Sequence, residues 1–252
     1  MAAPALPAWY VAAYNAAFWP YLLTTCPLGF AGAVGVWATT SPFDRHKKLL
    51  HTYTCRWASH YVKYAPGVGV RLDGFDAIDR TKPYVIVSNH LSLVDTLAVF
   101  ATELPFKWVS KTSNFFVPFI GWAMVLNEYV PLKRGDVPST LRMMRRSLAL
   151  LRQGVSVYVF PEGTRSGDGE LLPFKRGAFS LAARARVPVL PLVVEGTQVV
   201  LPKNSVKVRP HPLTVRALEP VDPSAFNYDS RAMMAHVRSA MADAQRALRD
   251  AR

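Results

Sequence analysis

Tyr84-Val85-Ile86-Val87-Ser88-Asn89-His90-Leu91-Ser92-Leu93-Val94-Asp95 is a β-branched run that breaks into a polar turn and resumes with residues that tolerate a helix. The pattern predicts a strand over 84–88 and a helix running on through Phe100. Val155 to Phe160 repeats the arrangement, a buried strand running straight into Pro161-Glu162-Gly163-Thr164-Arg165-Ser166. Further short strands are predicted at Val68 to Leu72, Phe106 to Ser110 and Val130 to Leu132. Between them lie amphipathic helices over Leu49 to Tyr64 and over Ser139 to Arg152, where Leu141, Met144, Leu148 and Leu151 recur at helical spacing before the Gly154 stop signal. A last helix is expected over Ser230 to Arg249, with Met234, Val237, Met241 and Leu248 inward. Alternation of this kind predicts an α/β fold with an open sheet and a site at the strand ends.

The two turns carry different chemistry. An imidazole that titrates near neutrality can take the proton of an attacking hydroxyl, and a carboxylate on its second ring nitrogen fixes the tautomer and stabilises the imidazolium. His90 and Asp95 are candidates for those roles. Five helical residues rotate by roughly 140° about the axis, so the pair can meet only if His90 lies in the turn and the helix begins inside the motif. Ser92-Leu93-Val94-Asp95 also reads as a capping box with Ser92 as N-cap, which leaves Asp95 as a helix cap in competition. In the second turn Gly163 lets the backbone reverse and Arg165 presents a planar fork that suits a phosphate, with Lys175-Arg176 following. A surface turn with a solvated arginine is the competing reading. There is no GxSxG elbow, and neither Cys26 nor Cys55 is near a motif, so a covalent intermediate lacks a nucleophile. The cysteines form neither a disulfide framework nor a zinc pattern and suit a reducing compartment. Without GxxxxGK, paired metal ligands or a dinucleotide fingerprint, no metal or cofactor is expected.

NHxxxxD at 89–95 followed by FPEGTRS at 160–166 resembles the 1-acylglycerol-3-phosphate O-acyltransferase family of glycerolipid synthesis. The stretch Val109-Ser110-Lys111, Phe115 to Trp122 and Val130 to Arg134 is similar to that family's second block, and Val187 to Leu192 to a fourth. The likeness covers roughly 75–200 in the family's order. It implies a single glycerolipid-acyltransferase-like domain with an open mixed sheet over 45–252, preceded by a membrane-associated helical segment over 1–44. It further implies transfer of an acyl group to the 2-hydroxyl of 1-acylglycerol 3-phosphate, with His90 as base and acyl-CoA or acyl carrier protein as donor. Glu162, Gly163 and Thr164 would then belong to the acceptor site, with Arg134 joining Arg165 on the phosphate and Lys111 as a third cation. Another lysophospholipid or a lyso-aminolipid acceptor is the alternative within that class, and an inactive anionic-lipid-binding protein the alternative outside it. One residue departs from the pattern: Glu128 stands where such proteins often have glycine.

Composition points to a membrane. Half of the 252 residues are hydrophobic while the net charge is +13, a combination suited to an anionic lipid surface. Nucleic acid, the other usual partner of such a charge, is disfavoured because the basic residues are not interleaved with aromatics in a recognition motif. Residues 1–43 contain no Lys, Arg, Asp or Glu, and no basic stretch precedes the apolar run as in a secretory signal. Pro20 and Pro27 divide this run into pieces of about 18–20 Å as helix, shorter than the ~30 Å hydrocarbon core. A helical hairpin dipping into one leaflet is therefore expected ahead of one kinked span, with Arg45 to Lys48 on the cytoplasmic side. Phe115, Phe116, Phe119, Ile120 and Trp122 suit an acyl-chain channel or, equally, ordinary core or a membrane-facing surface.

Overall fold

A computed structural model of the chain describes residues 6–251. Residues 1–5 of the predicted N-terminal segment lie outside it. Seven strands, β1 (Val70–Asp73), β2 (Val85–Ser88), β3 (Phe106–Lys111), β4 (Val130–Leu132), β5 (Ser156–Val159), β6 (Val189–Glu195) and β7 (Leu213–Ala217), form one sheet in the order β1-β7-β6-β2-β5-β3-β4. Only β6 and β7 pair antiparallel, so the open sheet is mixed. Consequently β6, β2, β5, β3 and β4 direct their C-terminal ends to one edge.

Parallel strands covered on both faces must be apolar at consecutive positions, and β2 and β6 are buried throughout. Their side chains alternate between two cores. Ile86, Tyr158, Leu190 and Leu192 pack in one, which also takes in Cys55 and Val62 of α2 (Lys48–Lys63) and Val94 and Ala98 of α3 (Val94–Phe100). Val85, Val87, Val157 and Val189 pack in the other with residues of α5 (Val137–Arg152), α6 (Gly177–Ala185) and α8 (Ser230–Asp250). The phase of α5 differs from the expected one, and on α8 one inward residue differs while Val237, Met241 and Leu248 are buried as expected. On α5 the buried face is Ser139, Met143, Ser147 and Leu151, while Leu141 is exposed, because Ser139 turns inward to accept the Lys133 N–H at 2.9 Å. On α8 Met233 replaces Met234 as the buried methionine, and Gln245 is also inward, its amide donating to the Gly169 carbonyl at 3.1 Å.

The N-terminal run is one continuous helix, α1 (Ala8–Thr40), with Pro20 and Pro27 inside it, which corrects the hairpin expectation. An interior proline costs about 3 kcal/mol, and tertiary contact offsets that cost. Gly29 and Gly32 let α1 approach α2 so closely that a Cβ at either would collide with Trp57 or Tyr53. The Tyr53 hydroxyl donates to the Gly29 carbonyl at 3.0 Å, and Thr25 bonds the Tyr61 hydroxyl at 2.9 Å. Farther up, the Asn15 amide brackets the Val208 backbone, donating to its carbonyl at 2.8 Å and accepting its N–H at 2.9 Å. Trp9, Leu23, Leu28, Trp37 and Phe43 remain exposed, giving the helix a long unpaired apolar side. By length and composition α1 could cross a membrane. Of the basic flank, Lys47 is buried with its ammonium on the Ser41 hydroxyl at 2.9 Å. The aromatic run continues the same surface: α4 (Ile120–Leu126) packs against α1 through Phe30, Phe119 and Trp122, while Phe116, Val117, Ile120 and Val125 are exposed. Glu128 adopts φ 56°, the left-handed conformation in which glycine carries no penalty.

Candidate active site

The shared strand edge collects the predicted residues. His90 follows β2 in a turn before α3, and its Nδ1 lies 2.8 Å from Asp95 Oδ2. The same carboxylate oxygen accepts the Leu91 N–H at 2.7 Å and the Ser92 N–H at 2.9 Å. Both readings of Asp95 therefore hold, since it caps the start of α3 and grips the imidazole. Its Oδ1 takes the hydroxyl of Thr197, the first residue of α7 (Thr197–Val200), reached through Gly196 after β6. Asp95 is fully buried while the His90 side chain is 12% exposed, so the ring alone meets the solvent side. With Nδ1–H donated to the carboxylate, the Nε2 lone pair is left as the basic atom. Phe160 stacks on the ring at 3.9 Å between centroids and 15° between planes. Asn89 fixes the turn from the other side, bonding both backbone groups of Val194 at 2.8 Å and so extending the β2–β6 ladder through a side chain.

After β5, Gly163 turns at φ 71° and the Lys175 ammonium passes over the place its Cβ would occupy. Glu162 is buried, with Oε1 accepting the His90 N–H at 3.0 Å and Oε2 the Leu172 N–H at 3.4 Å. It joins the two turns through backbone, and its oxygens are committed there. Burial pushes its carboxyl up to about 7, although the two N–H groups pull the other way. A return bond runs from the Ser166 N–H to the His90 carbonyl at 2.8 Å. Thr164 is exposed and Arg165 half-buried. Among the described residues the Arg165 guanidinium has no partner, while its carbonyl accepts the Lys203 ammonium at 2.8 Å. Lys111 ends β3 and Arg134 follows β4, both exposed on the same edge, with Lys111 between Arg165 and Arg134 in strand order. The structure does not bring these three cations into mutual contact; strand spacing separates the ends of β5 and β4 by roughly 10 Å.

Asn89, Phe160, Thr197 and Lys203 were not among the predicted site residues. A signal for Thr197 exists: Glu195-Gly196-Thr197 repeats Glu162-Gly163-Thr164, each following a strand with its glycine at positive φ.

An oriented imidazole and unpaired cations share the ends of parallel strands in an α/β fold, an arrangement with the parts for base catalysis next to an anion. A family model described as Acyltransferase matches residues 69–195, and the chain belongs to the acyltransferase family. It is similar to the chloroplastic 1-acyl-sn-glycerol-3-phosphate acyltransferase of Brassica napus, 39% identical over 171 residues that cover 67% of this chain and 49% of that protein. Against the 1-acyl-sn-glycerol-3-phosphate acyltransferase of Saccharomyces cerevisiae it is 32% identical over 228 residues, 88% of this chain and 74% of that one. The crystal structure of the 1-acyl-sn-glycerophosphate acyltransferase PlsC from Thermotoga maritima superposes with a TM-score of 0.76 at 26% identity, covering 95% of both chains. The chain spans about half the length of the plant and algal relatives it matches.

Proposed function

We propose that the protein is a membrane-associated acyltransferase that esterifies the sn-2 hydroxyl of 1-acylglycerol 3-phosphate with a fatty acyl thioester, giving phosphatidic acid. The observation that carries the reading is the pairing, on one strand edge, of the His90–Asp95 couple with the unpartnered Arg165 fork. His90 Nε2 takes the proton of the 2-hydroxyl as that oxygen attacks the thioester carbonyl, and Asp95 stabilises the imidazolium. The thiolate leaves with the proton, and no covalent acyl-enzyme forms. Arg165 holds the phosphate bidentately, with Lys111 and Arg134 as further cations on the same edge. Gly163 and Thr164 belong to the acceptor site through the turn they form, and Glu162 holds that turn to the His90 backbone. Acyl-CoA or acyl carrier protein supplies the acyl group. The exposed apolar side of α1 and α4 sits in the cytoplasmic face of a membrane, where acceptor and product both reside.

Product analysis tests this. Purified full chain in detergent is offered labelled acyl-CoA or acyl carrier protein with a panel of lyso-acceptors. Phosphatidic acid from 1-acylglycerol 3-phosphate is the expected outcome. A preferred lysophospholipid of another headgroup would move the protein to a different acceptor, and no turnover with any of them would leave it a lipid-binding protein.

A further inference from the structure

At the opposite edge of the sheet the strand beginnings enclose a cavity of about 320 Å³. His46 lines it from the link between α1 and α2, Lys48 from the start of α2, Arg80 and Lys82 from the loop before β2, Lys107 from the start of β3 and Ser156 from the start of β5. No Asp or Glu lines it. Beside Lys48 the buried Asp44 carboxylate is taken up by the backbone N–H groups of Lys48 and Leu49 at 2.7 and 2.9 Å, and Lys82 lies 3.4 Å from Asp79 in an exposed pair whose carboxylate is already held by the Thr81 N–H and hydroxyl at 2.9 and 2.6 Å. Such a pair neutralises little. Arg80 donates to the Thr102 carbonyl at 3.2 Å and to the Glu103 carbonyl at 3.5 Å, contacts that hold the arginine without cancelling its charge. Lys107 is buried and donates to the Asn127 carbonyl, and burial lowers its ammonium to about 8, with Glu128 and Asp44 only partly offsetting it.

Like charges gathered into one concave, partly desolvated place repel, and an anion in that place removes the repulsion. Two of its lining residues, His46 and Lys48, belong to the basic flank that follows α1, and Phe43 in the same link is exposed. Strands of four to seven residues put roughly 15–20 Å between this edge and His90, so a ligand here does not touch the reacting atoms. We propose that the cavity is a second anion site that takes a phosphate group, carried by the headgroup of an anionic lipid whose chains lie along α1. Its binding can be measured without turnover, independently of the catalytic assignment.

The test uses full-chain protein, with Lys48→Gln/Lys82→Gln as the site variant and Arg184→Gln/Arg231→Gln, which remove the same charge on α6 and α8, as the control. Both altered lysines are solvent-exposed, so the fold is retained, and circular dichroism with detergent activity checks it. In one arm inorganic pyrophosphate is titrated by calorimetry into an Arg165→Ala background, which removes the proposed phosphate fork of the catalytic edge while Lys111 and Arg134 stay the same in site variant and control. Binding should weaken roughly tenfold or more in the site variant and stay unchanged in the control. In the other arm, binding to nanodiscs of phosphatidylcholine with or without phosphatidylglycerol should drop for the site variant only on the anionic discs, beyond the loss shown by the control. A pyrophosphate effect without the nanodisc effect would support the phosphate chemistry and overturn the lipid source. Equal losses for site variant and control in both arms would overturn the proposal.

Discussion

At the end of β2 Asp95 collects four donors and His90 is held through its ring, its N–H and its carbonyl, whereas at the end of β5 Thr164 and the Arg165 guanidinium face outward without partners among the described residues. The difference suits the two proposed tasks. A base must present one lone pair in one direction before the substrate arrives, and buried hydrogen bonds fix the tautomer in advance. An anion-binding arm gains its order from the phosphate, so leaving it unpaired preserves charge that an internal carboxylate would cancel.

The largest effect expected from breaking this contrast is at the ordered turn. His90→Ala should lower kcat by about 10²- to 10⁴-fold, since a general base contributes that much to rate and little to ground-state binding. Affinity for 1-acylglycerol 3-phosphate, measured by calorimetry, should stay near the wild-type value. Asp95→Asn should approach the same loss by presenting the wrong tautomer. Near-full activity in either variant with saturating substrates would remove His90 from its role.

Arg165→Lys probes the open turn. Lysine keeps the charge and loses the planar fork, so catalytic efficiency with 1-acylglycerol 3-phosphate should fall by roughly ten- to a hundredfold, equivalent to about 1.5–3 kcal/mol. An uncharged monoacylglycerol acceptor, poor already, should be nearly indifferent. Equal losses on both acceptors would mean that Arg165 supports its turn, and the phosphate would pass to Arg134, Lys111 or Lys175.

Glu162 is the joint between the two turns, and its carboxyl, pushed up to about 7 by burial, gives stability a sign with pH. The folded state holds the proton more tightly than the unfolded chain, whose carboxyl titrates near its ordinary value of 4.5. The contribution is therefore fully present below that value and is lost as pH rises through about 7, on the order of 3 kcal/mol. Urea midpoints should fall across this window in the wild type, and that part of the slope should vanish in Glu162→Gln. A slope unchanged by the substitution would assign the pH dependence elsewhere.

Much of this edge could be read from the chain because its chemistry is local: a strand, a turn and a cap lie within 84–95, and a strand and a glycine turn within 155–166. What escaped reading depends on contacts distant in sequence. The continuity of α1 rests on Gly29 and Gly32 against α2 and on Asn15 against Val208, none of which leaves a periodic mark near Pro20 or Pro27. β6 was noticed only as a family block, since Pro191 sits inside it and proline argues against a central strand. On α8 Val237, Met241 and Leu248 are inward as expected, and only the choice between two adjacent, equally apolar methionines differs, because packing selects Met233. Glu128 was singled out from the resemblance, and its positive φ, an expense of about 1–2 kcal/mol for a residue with a Cβ, shows that the turn keeps its shape without glycine.

The smallest effect expected concerns Thr197, whose hydroxyl is the partner of Asp95 Oδ1. Thr197 is buried, and valine has nearly its shape, so Thr197→Val removes one hydrogen bond and leaves a carboxylate oxygen unpaired while Oδ2 keeps its three donors. Loss of a bond to a carboxylate costs about 1.5 kcal/mol or more in stability, of which about 1 kcal/mol reaching the transition state as Asp95 gains freedom to tilt away from the imidazole gives a fall of roughly fivefold in kcat. KM for the acceptor should not change, because the phosphate arm belongs to the other turn. Thr197→Ser restores a hydroxyl at the same place and should recover most of the rate. A parallel fall in kcat and acceptor affinity, unrelieved by serine, would mean that the position supports packing under both turns, and the ordering of His90 would then rest on the backbone N–H groups of Leu91 and Ser92 alone.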